Sequence, residues 1–212
     1  MEIKYDKIVS EGEQLRAIVM IHGWQGNKNS FKAVSKLLKI ENTTWFFPEA
    51  PYDFEGDSLK KTWTYEKYPG VWELEEPKAK LRSFFKEVVF REFSSENVFV
   101  IGFSQGAAVC YEFILSLEYP LGGVFPIAGF IRDQKPPTLD VHKNQCSTPI
   151  LIGHGKNDEV VSLDSSKSAY AKLQKICSNV TLDIYNGGHK INLSYLNKVK
   201  ELILTNQKKM VE

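Results

Sequence analysis

Several features that would sort this chain into a specialised class are missing from it. No stretch comes near the roughly 18 consecutive apolar residues that a spanning helix needs, so no integral membrane segment is expected. Met1-Glu2-Ile3-Lys4-Tyr5-Asp6 alternates in charge and has no apolar core region, so no secretory signal is expected either. An excess of one charge is also missing. Lys and Arg number 27 against 26 Asp and Glu, a net charge of +1 that gives no reason to expect nucleic acid or an acidic surface as partner. The short basic run at Lys208 and Lys209 reads as a solvated helix end. Cysteine is scarce. Cys110, Cys146 and Cys177 form an odd set without CxxC spacing, which fits free or buried thiols in a reducing cytoplasm better than a disulfide framework. None of the three sits in a motif that would lower its pKa. The histidines show no HxH or HxxxH spacing, so no metal site is expected. There is no internal repeat and no low-complexity segment.

What is present suits one cytoplasmic domain spanning residues 1–212, because 42% hydrophobic and 25% charged residues are enough for a sizeable core under a solvated surface. Strand-like and helix-like segments alternate. Residues 2–9 alternate with period two, and Ser10-Glu11-Gly12-Glu13 reads as a turn into the strand Arg16 to Ile21, so the opening reads as a hairpin. Ser30 is placed to cap a helix with Phe31, Val34, Leu37 and Leu38 on one face. Thr43 to Phe47 is a short strand ended by Pro48, and Leu74 to Phe90 a helix that tolerates Pro77 in its first turn. Val98 to Ile101 is a β-branched run suited to a strand buried on both faces, with a helix from Gln105. Strands at Leu121 to Ile127, Ile150 to Ile152 and Val180 to Tyr185 follow, with helices at about 163–176 and 191–205. This order implies right-handed βαβ crossovers and a mainly parallel sheet covered on both faces, an α/β fold. Two connections, 52–73 and 129–148, are long for a compact domain; the first is rich in aromatics and the second holds two prolines and Phe130-Ile131.

In such sheets ligands sit outside the carboxyl ends of the strands, so the residues that follow each strand matter most. Gly102-Phe103-Ser104-Gln105-Gly106 has small residues two before and two after a serine, as a nucleophile elbow requires. Gly153-His154-Gly155-Lys156-Asn157-Asp158 brings an acid to a strand end, with Glu159 as the rival. Asn186-Gly187-Gly188-His189 brings a histidine to a third. His22 and His154 each precede glycine at a strand end, where hydrogen bonds to loop backbone suit them better than base catalysis, and His142 lies in a long loop without supporting residues. Ser104, Asp158 and His189 thus follow successive strands in the order of an α/β-hydrolase triad. The hydroxyl needs His189 to take its proton, and Asp158 to hold the imidazole tautomer. Backbone N–H groups of Gln105 and of Trp24, in the loop after the second strand, are the expected oxyanion donors.

Four segments carry a resemblance: IHG ending at residue 23, FPEAP at 47–51, GFSQGAA at 102–108, and HGKNDEVV followed by GGHKI. They resemble the small serine hydrolases grouped as acyl-protein thioesterases and phospholipase/carboxylesterases, and the match spans most of the chain. The resemblance implies a single α/β-hydrolase domain without a large cap, acting on carboxylic esters or thioesters, with no cofactor. By motif match it implies the same triad and the same oxyanion pair. The chain departs from the thioesterase pattern in two places where substrate shape is read. His-Gly is followed by Trp24-Gln25-Gly26 rather than Leu-Gly-Asp, and the 52–73 segment keeps only Trp63 while partly resembling a fungal family of small serine hydrolases.

The expected substrate is a small molecule or an acylated one, with Trp63, Phe130 and Ile131 lining an acyl groove and Val160 and Val161 beside the acid loop. The other reading of these aromatics is sheet-edge packing. A peptidase or a carbon–carbon bond hydrolase is the alternative on the same scaffold, and a non-catalytic binding module stands behind it. Edge strands and an aromatic loop are compatible with a homodimer and do not demonstrate one.

Overall fold

The computed structural model describes residues 2–134 and 137–211, so Pro136 of the second long connection lies outside the described residues, as do the side chains of Lys208 and Lys209. The strands β1 (Tyr5–Val9), β2 (Arg16–Ile21) and β3 (Thr43–Pro48) are followed by two small ribbons. These pair β4 (Tyr52–Phe54) with β5 (Asp57–Thr62), and β6 (Glu66–Tyr68) with β7 (Val71–Trp72). The strands β8 (Val98–Phe103), β9 (Gly123–Ile127), β10 (Ile150–Gly155) and β11 (Val180–Tyr185) complete a seven-stranded sheet in the order β1-β3-β2-β8-β9-β10-β11. Every neighbouring pair in it is parallel except β1 with β3.

The expected hairpin between the first two strands does not form. β1 pairs antiparallel with β3, Asp6 opposite Phe47 and Ile8 opposite Trp45. The reason is burial. All six residues of β2 are buried, and it takes parallel neighbours on both sides, whereas β1 alternates exposed and half-buried residues as an edge strand does.

Helices α1 (Lys32–Leu38), α2 (Glu75–Phe84), α3 (Phe90–Glu92), α4 (Gln105–Val109), α5 (Leu163–Gln174) and α6 (Leu193–Val211) cover the two faces. A π-helical turn, Phe85–Val89, joins α2 to α3, and another, Cys110–Ile114, extends α4. Side chains alternate between two cores as the pleat requires. Val19, Ile21, Val100 and Ile152 join Leu81, Phe85, Val109 and Leu173 on one face; Ile18, Met20, Phe99 and Phe125 join Leu38, Tyr195, Leu196 and Val199 on the other. The expected start of α1 shifts by one residue. Phe31 occupies the cap position and makes no side-chain cap bond, while Ser30 Oγ instead accepts from Asn27 N–H at 2.9 Å. Leu37 points outward and is exposed.

The segment 52–73 is not a structureless loop. Glu55 and Gly56 both have positive φ, 48° and 76°, and close β4 onto β5 as a two-residue hairpin turn. Tyr68-Pro69-Gly70-Val71, with Gly70 at φ 77°, closes the second ribbon in the manner of a type II turn.

Parallel register brings the strand ends to one edge: Ile21 is opposite Gly102, Phe103 opposite Ile127, and Gly155 opposite Tyr185. At that edge α4 leaves β8 so closely that a Cβ on Gly106 would stand 2.3 Å from Ile21 O, and one on Gly102 2.3 Å from Gly106 O. Both clashes are with backbone, which cannot swing aside. Gly106→Ala therefore destabilises the fold by roughly 3 kcal/mol, the upper end for overpacking. A thermal or urea melt against wild type checks this, and an unchanged midpoint contradicts it.

Candidate active site

Ser104 sits between β8 and α4 with φ 55° and ψ −115°, a backbone region costly for a residue with a Cβ. Two sets of hydrogen bonds hold it there. Its N–H donates to Ile127 O at 2.8 Å, and its carbonyl accepts from Ala107 and Ala108 N–H at 2.9 and 3.1 Å. The turn lifts Oγ to within 3.0 Å of His189 Nε2, and His189 Nδ1 lies 2.7 Å from Asp158 Oδ2. The chain Ser104–His189–Asp158 is continuous, with Nδ1–H donating to the carboxylate and Nε2 free to accept from the hydroxyl. Phe103 packs on the imidazole, ring centroids 4.8 Å apart.

Asp158 is fixed by the backbone that follows it. Its side chain is fully buried, and Oδ1 accepts from Val160 and Val161 N–H, each at 2.9 Å. Burial works to raise the carboxyl pKa, but the Val161 N–H, His189 and the Val160 N–H together outweigh it, so the group stays below the usual aspartate value. The rival Glu159 points into solvent. Asp164 and Asp183 are engaged with Lys167 and Lys198.

The two other strand-end histidines hold up the walls. His22 donates from Nδ1 to Gly23 O at 2.8 Å and accepts the Ala50 N–H at Nε2, 3.0 Å away. His154 has the opposite arrangement: Nε2 lies 3.0 Å from Val161 O, and Nδ1 lies 2.7 Å from Ser166 Oγ. Both are buried, and these partners account for both ring nitrogens of each. Burial lowers the His22 pKa to about 4, against a smaller upward pull from the Gly23 carbonyl.

The loop after β2 supplies the opposite wall. Gly26 N–H donates to Gly23 O at 3.1 Å, and Gln25, at φ 60°, closes a tight turn that leaves the Trp24 N–H without a protein acceptor among the described residues. The Gln105 N–H, first in its helix, likewise has no acceptor within that helix. The loop that carries Trp24 lies against Ser104, since the position of a Cβ on Gly23 lies 3.4 Å from Ser104 Cβ.

The expected groove residues divide. Trp63 has no exposed surface, so it does not line an open groove. Its indole N–H donates to His22 O at 2.9 Å and its backbone N–H to Gln105 Oε1 at 3.1 Å, which makes it a strut beneath both walls. The Gln105 side chain completes the tie by donating to Thr62 Oγ1 at 2.8 Å. Sequence reading used only the Gln105 backbone; a glutamine beside a nucleophile carries no signal of where its amide points. Trp24, 56% exposed, meets Phe54 edge-on at 4.8 Å and forms the cleft rim. Val160 is 72% exposed and Val161 buried, and both reach the acid through backbone N–H groups rather than side chains. Phe130 is half-buried against Arg132, while Ile131 packs on the core and borders a 420 Å³ surface cavity that contains no triad residue. Burial pushes the Cys110 thiol up, and desolvation with the contact to Cys146 raises Cys177 to about 12, so neither is a thiolate at neutral pH. Among the described residues no group of three or more His, Cys, Asp or Glu is gathered as a metal site.

A model of the phospholipase/carboxylesterase family matches residues 4–207. The chain belongs to that family. It is 27% identical over 197 residues to acyl-protein thioesterase 1 of Debaryomyces hansenii, covering 81% of this chain and 82% of the relative. It is also 27% identical over 197 residues to a probable SOBER1-like carboxylesterase of Arabidopsis thaliana, covering 84% and 75%. Esterase PE8 superposes with a TM-score of 0.80 at 20% identity over 97% of this chain and 99% of its own, and the Bacillus cereus carboxylesterase with 0.78 at 18% over 96% and 94%. These folds confirm the α/β-hydrolase architecture without a large cap, and the family makes the chain a hydrolase. Among the described residues no helix is long and apolar enough to cross a membrane.

The tautomer and burial of His22 have a measurable consequence. Its folded pKa of about 4 lies below the unfolded 6.5, so the native state refuses a proton that the unfolded state accepts. That contribution to stability is whole above pH 6.5 and is lost as the pH falls to about 4, about 3 kcal/mol in all at 1.36 kcal/mol per pH unit. An NMR titration should show the His22 ring signals flat from pH 8 to about 5. A midpoint near the ordinary histidine value contradicts the assignment.

Proposed function

We propose that this family member hydrolyses carboxylic esters or thioesters through an acyl-enzyme on Ser104. The observation that carries the reading is the unbroken hydrogen-bonded chain from Ser104 Oγ through His189 to Asp158 at the carboxyl edge of the sheet. Ser104 Oγ attacks the acyl carbon while His189 Nε2 takes its proton, and Asp158 stabilises the imidazolium that forms. The tetrahedral oxyanion lies between the Trp24 and Gln105 N–H groups, at the start of the helix whose dipole favours negative charge, each donor worth about 3 kcal/mol in the transition state. Collapse of the intermediate expels an alkoxide or thiolate that receives the proton from His189. Water then attacks acyl-Ser104 with His189 again as base, releasing the carboxylic acid and the free serine.

The partner this site calls for is a small or acylated substrate. Names of relatives that include carboxylesterase and acyl-protein thioesterase support that class. A cytoplasmic setting is part of the reading, resting on three cysteines without CxxC spacing.

The test pairs esters with amides. Wild type turns over p-nitrophenyl butyrate and the matching thioester and leaves an aminoacyl p-nitroanilide essentially untouched. Ser104→Ala abolishes labelling by a fluorophosphonate probe, and Asp158→Asn lowers kcat by roughly 10⁴-fold through the wrong imidazole tautomer. Anilide hydrolysis outpacing ester hydrolysis would replace this reading with a peptidase. Equal labelling of wild type and Ser104→Ala would remove Ser104 as the nucleophile.

A further inference from the structure

Two of the three thiols meet at the end of the sheet away from the triad. Cys146 lies in the 3-10 turn Lys143–Ser147 just before β10, and Cys177 lies between α5 and β11, just before Val180. Their Sγ atoms are 2.7 Å apart, and Cys146 Sγ also lies 3.4 Å from Ile176 O. Cys177 is 2% exposed and Cys146 is half-buried, so Cys146 is the thiol that solvent reaches. Cys110 takes no part, because its Sγ stands under the elbow, 2.6 Å from the position of a Cβ on Gly102.

The two segments are held side by side by bonds that involve no sulfur. Ile150 N–H donates to Asn179 O at 2.9 Å, and Asn179 Nδ2 donates to Ser147 O at 3.3 Å. Cys177 N–H donates to Leu173 O at 2.8 Å, which fixes it to the last turn of α5. From the other side the buried Gln145 donates from Nε2 to Leu117 O and Tyr119 O, at 2.9 and 2.7 Å, and so anchors the turn that carries Cys146. Both backbones are therefore fixed at the span of the two thiols, as the narrow geometry of a disulfide demands. Contact between the sulfurs also makes the closing step intramolecular.

We propose that Cys146 and Cys177 are a reversible dithiol–disulfide site, which a small-molecule disulfide converts into a covalent clasp across the starts of β10 and β11. Cys146 Sγ, as the thiolate, attacks one sulfur of the small disulfide, and the expelled thiolate takes up the proton that Cys146 released. Cys177 then loses its proton, attacks Cys146 Sγ and expels the second small thiol, which carries that proton away. Two cysteine sulfurs are oxidised to one bridge, and one small disulfide is reduced to two thiols. The order follows from burial, which together with the contact to Cys146 raises Cys177 to about 12 and leaves it the resolving partner. The clasp joins positions 31 apart and encloses β10, Asp158 and α5 in one loop. The six residues of β10, roughly 20 Å of strand, separate it from the triad edge, so it acts on the stability of this part of the fold and not on the chemistry. This goes beyond the ester-hydrolase reading and does not rest on it.

The experiment equilibrates the full chain with reduced or with oxidised glutathione, alkylates it, digests it with trypsin and reads the masses. The oxidised sample is expected to keep one free thiol, Cys110, with fragments 144–156 and 176–190 joined. A reductant restores all three thiols. The thermal midpoint of the oxidised protein is expected to rise by roughly 5–15 °C, while Cys146→Ser melts at one temperature under both conditions. Three free thiols after oxidation overturn the proposal, as does a bridge to Cys110 or glutathione retained on Cys146 in place of the internal bridge. So does a midpoint that stays fixed once the fragments are joined, or that rises equally in Cys146→Ser. Thiols, masses and melts do not depend on turnover, so failure of ester hydrolysis leaves this site standing and is told apart from its own failure.

Discussion

The site depends on one close approach: the first turn of α4 lies against the end of β2, with Gly106 under Ile21 O. That contact leaves Ser104 no ordinary backbone conformation, and a positive φ at a residue with a Cβ costs about 1–3 kcal/mol. The cost is offset by bonds already in place, the Ser104 N–H to β9 and its carbonyl to the helix. The strain has a use. It sets the hydroxyl above the sheet edge and turns the Gln105 N–H outward at the head of the helix. A relaxed turn would present neither.

Around that turn, polar groups are arranged so that no wall can shift alone. Gln105 ties the elbow to the β5 ribbon, Trp63 ties that ribbon to His22, and His22 ties the β2 loop to Ala50. On the far side His154 links Val161 to α5, so the backbone that bonds Asp158 is itself held. At His22 a neutral imidazole suits this work, because it offers one donor and one acceptor and brings no charge into the interior. Asp158 Oδ2 lies 2.7 Å from His189 Nδ1 and 3.5 Å from His154 Nε2, so the hydrogen bond of the carboxylate goes to His189.

Much of this was legible because strand ends in a parallel sheet converge. Once Val98, Ile150 and Val180 are read as strand starts, the residues after each strand must share an edge, and Ser104, Asp158 and His189 follow. The roles of His22 and His154 were legible too, from the glycines beside them. Pairing was not. The period-two run at 2–9 predicts a strand but carries no information about its neighbour, which the burial of β2 decides. The ribbons were missed because Glu55-Gly56 lacks the usual Asn or Asp, and the turn dipeptide Pro69-Gly70 was not read for what it is. Trp63 shows the limit most plainly. A tryptophan in an aromatic segment reads equally as groove or strut, and only its bonds to His22 and Gln105 choose between them.

The proposed acyl transfer to Ser104 followed by hydrolysis rests on the hydrogen-bonded chain through His189 to Asp158. The most direct test is to trap the intermediate. Wild type is mixed with p-nitrophenyl butyrate and quenched in acid on the millisecond scale, and the intact and digested masses are read. A butyryl adduct should appear with the burst of nitrophenol and map to Ser104. Steady turnover with no adduct, or an adduct on any other residue, would contradict the account.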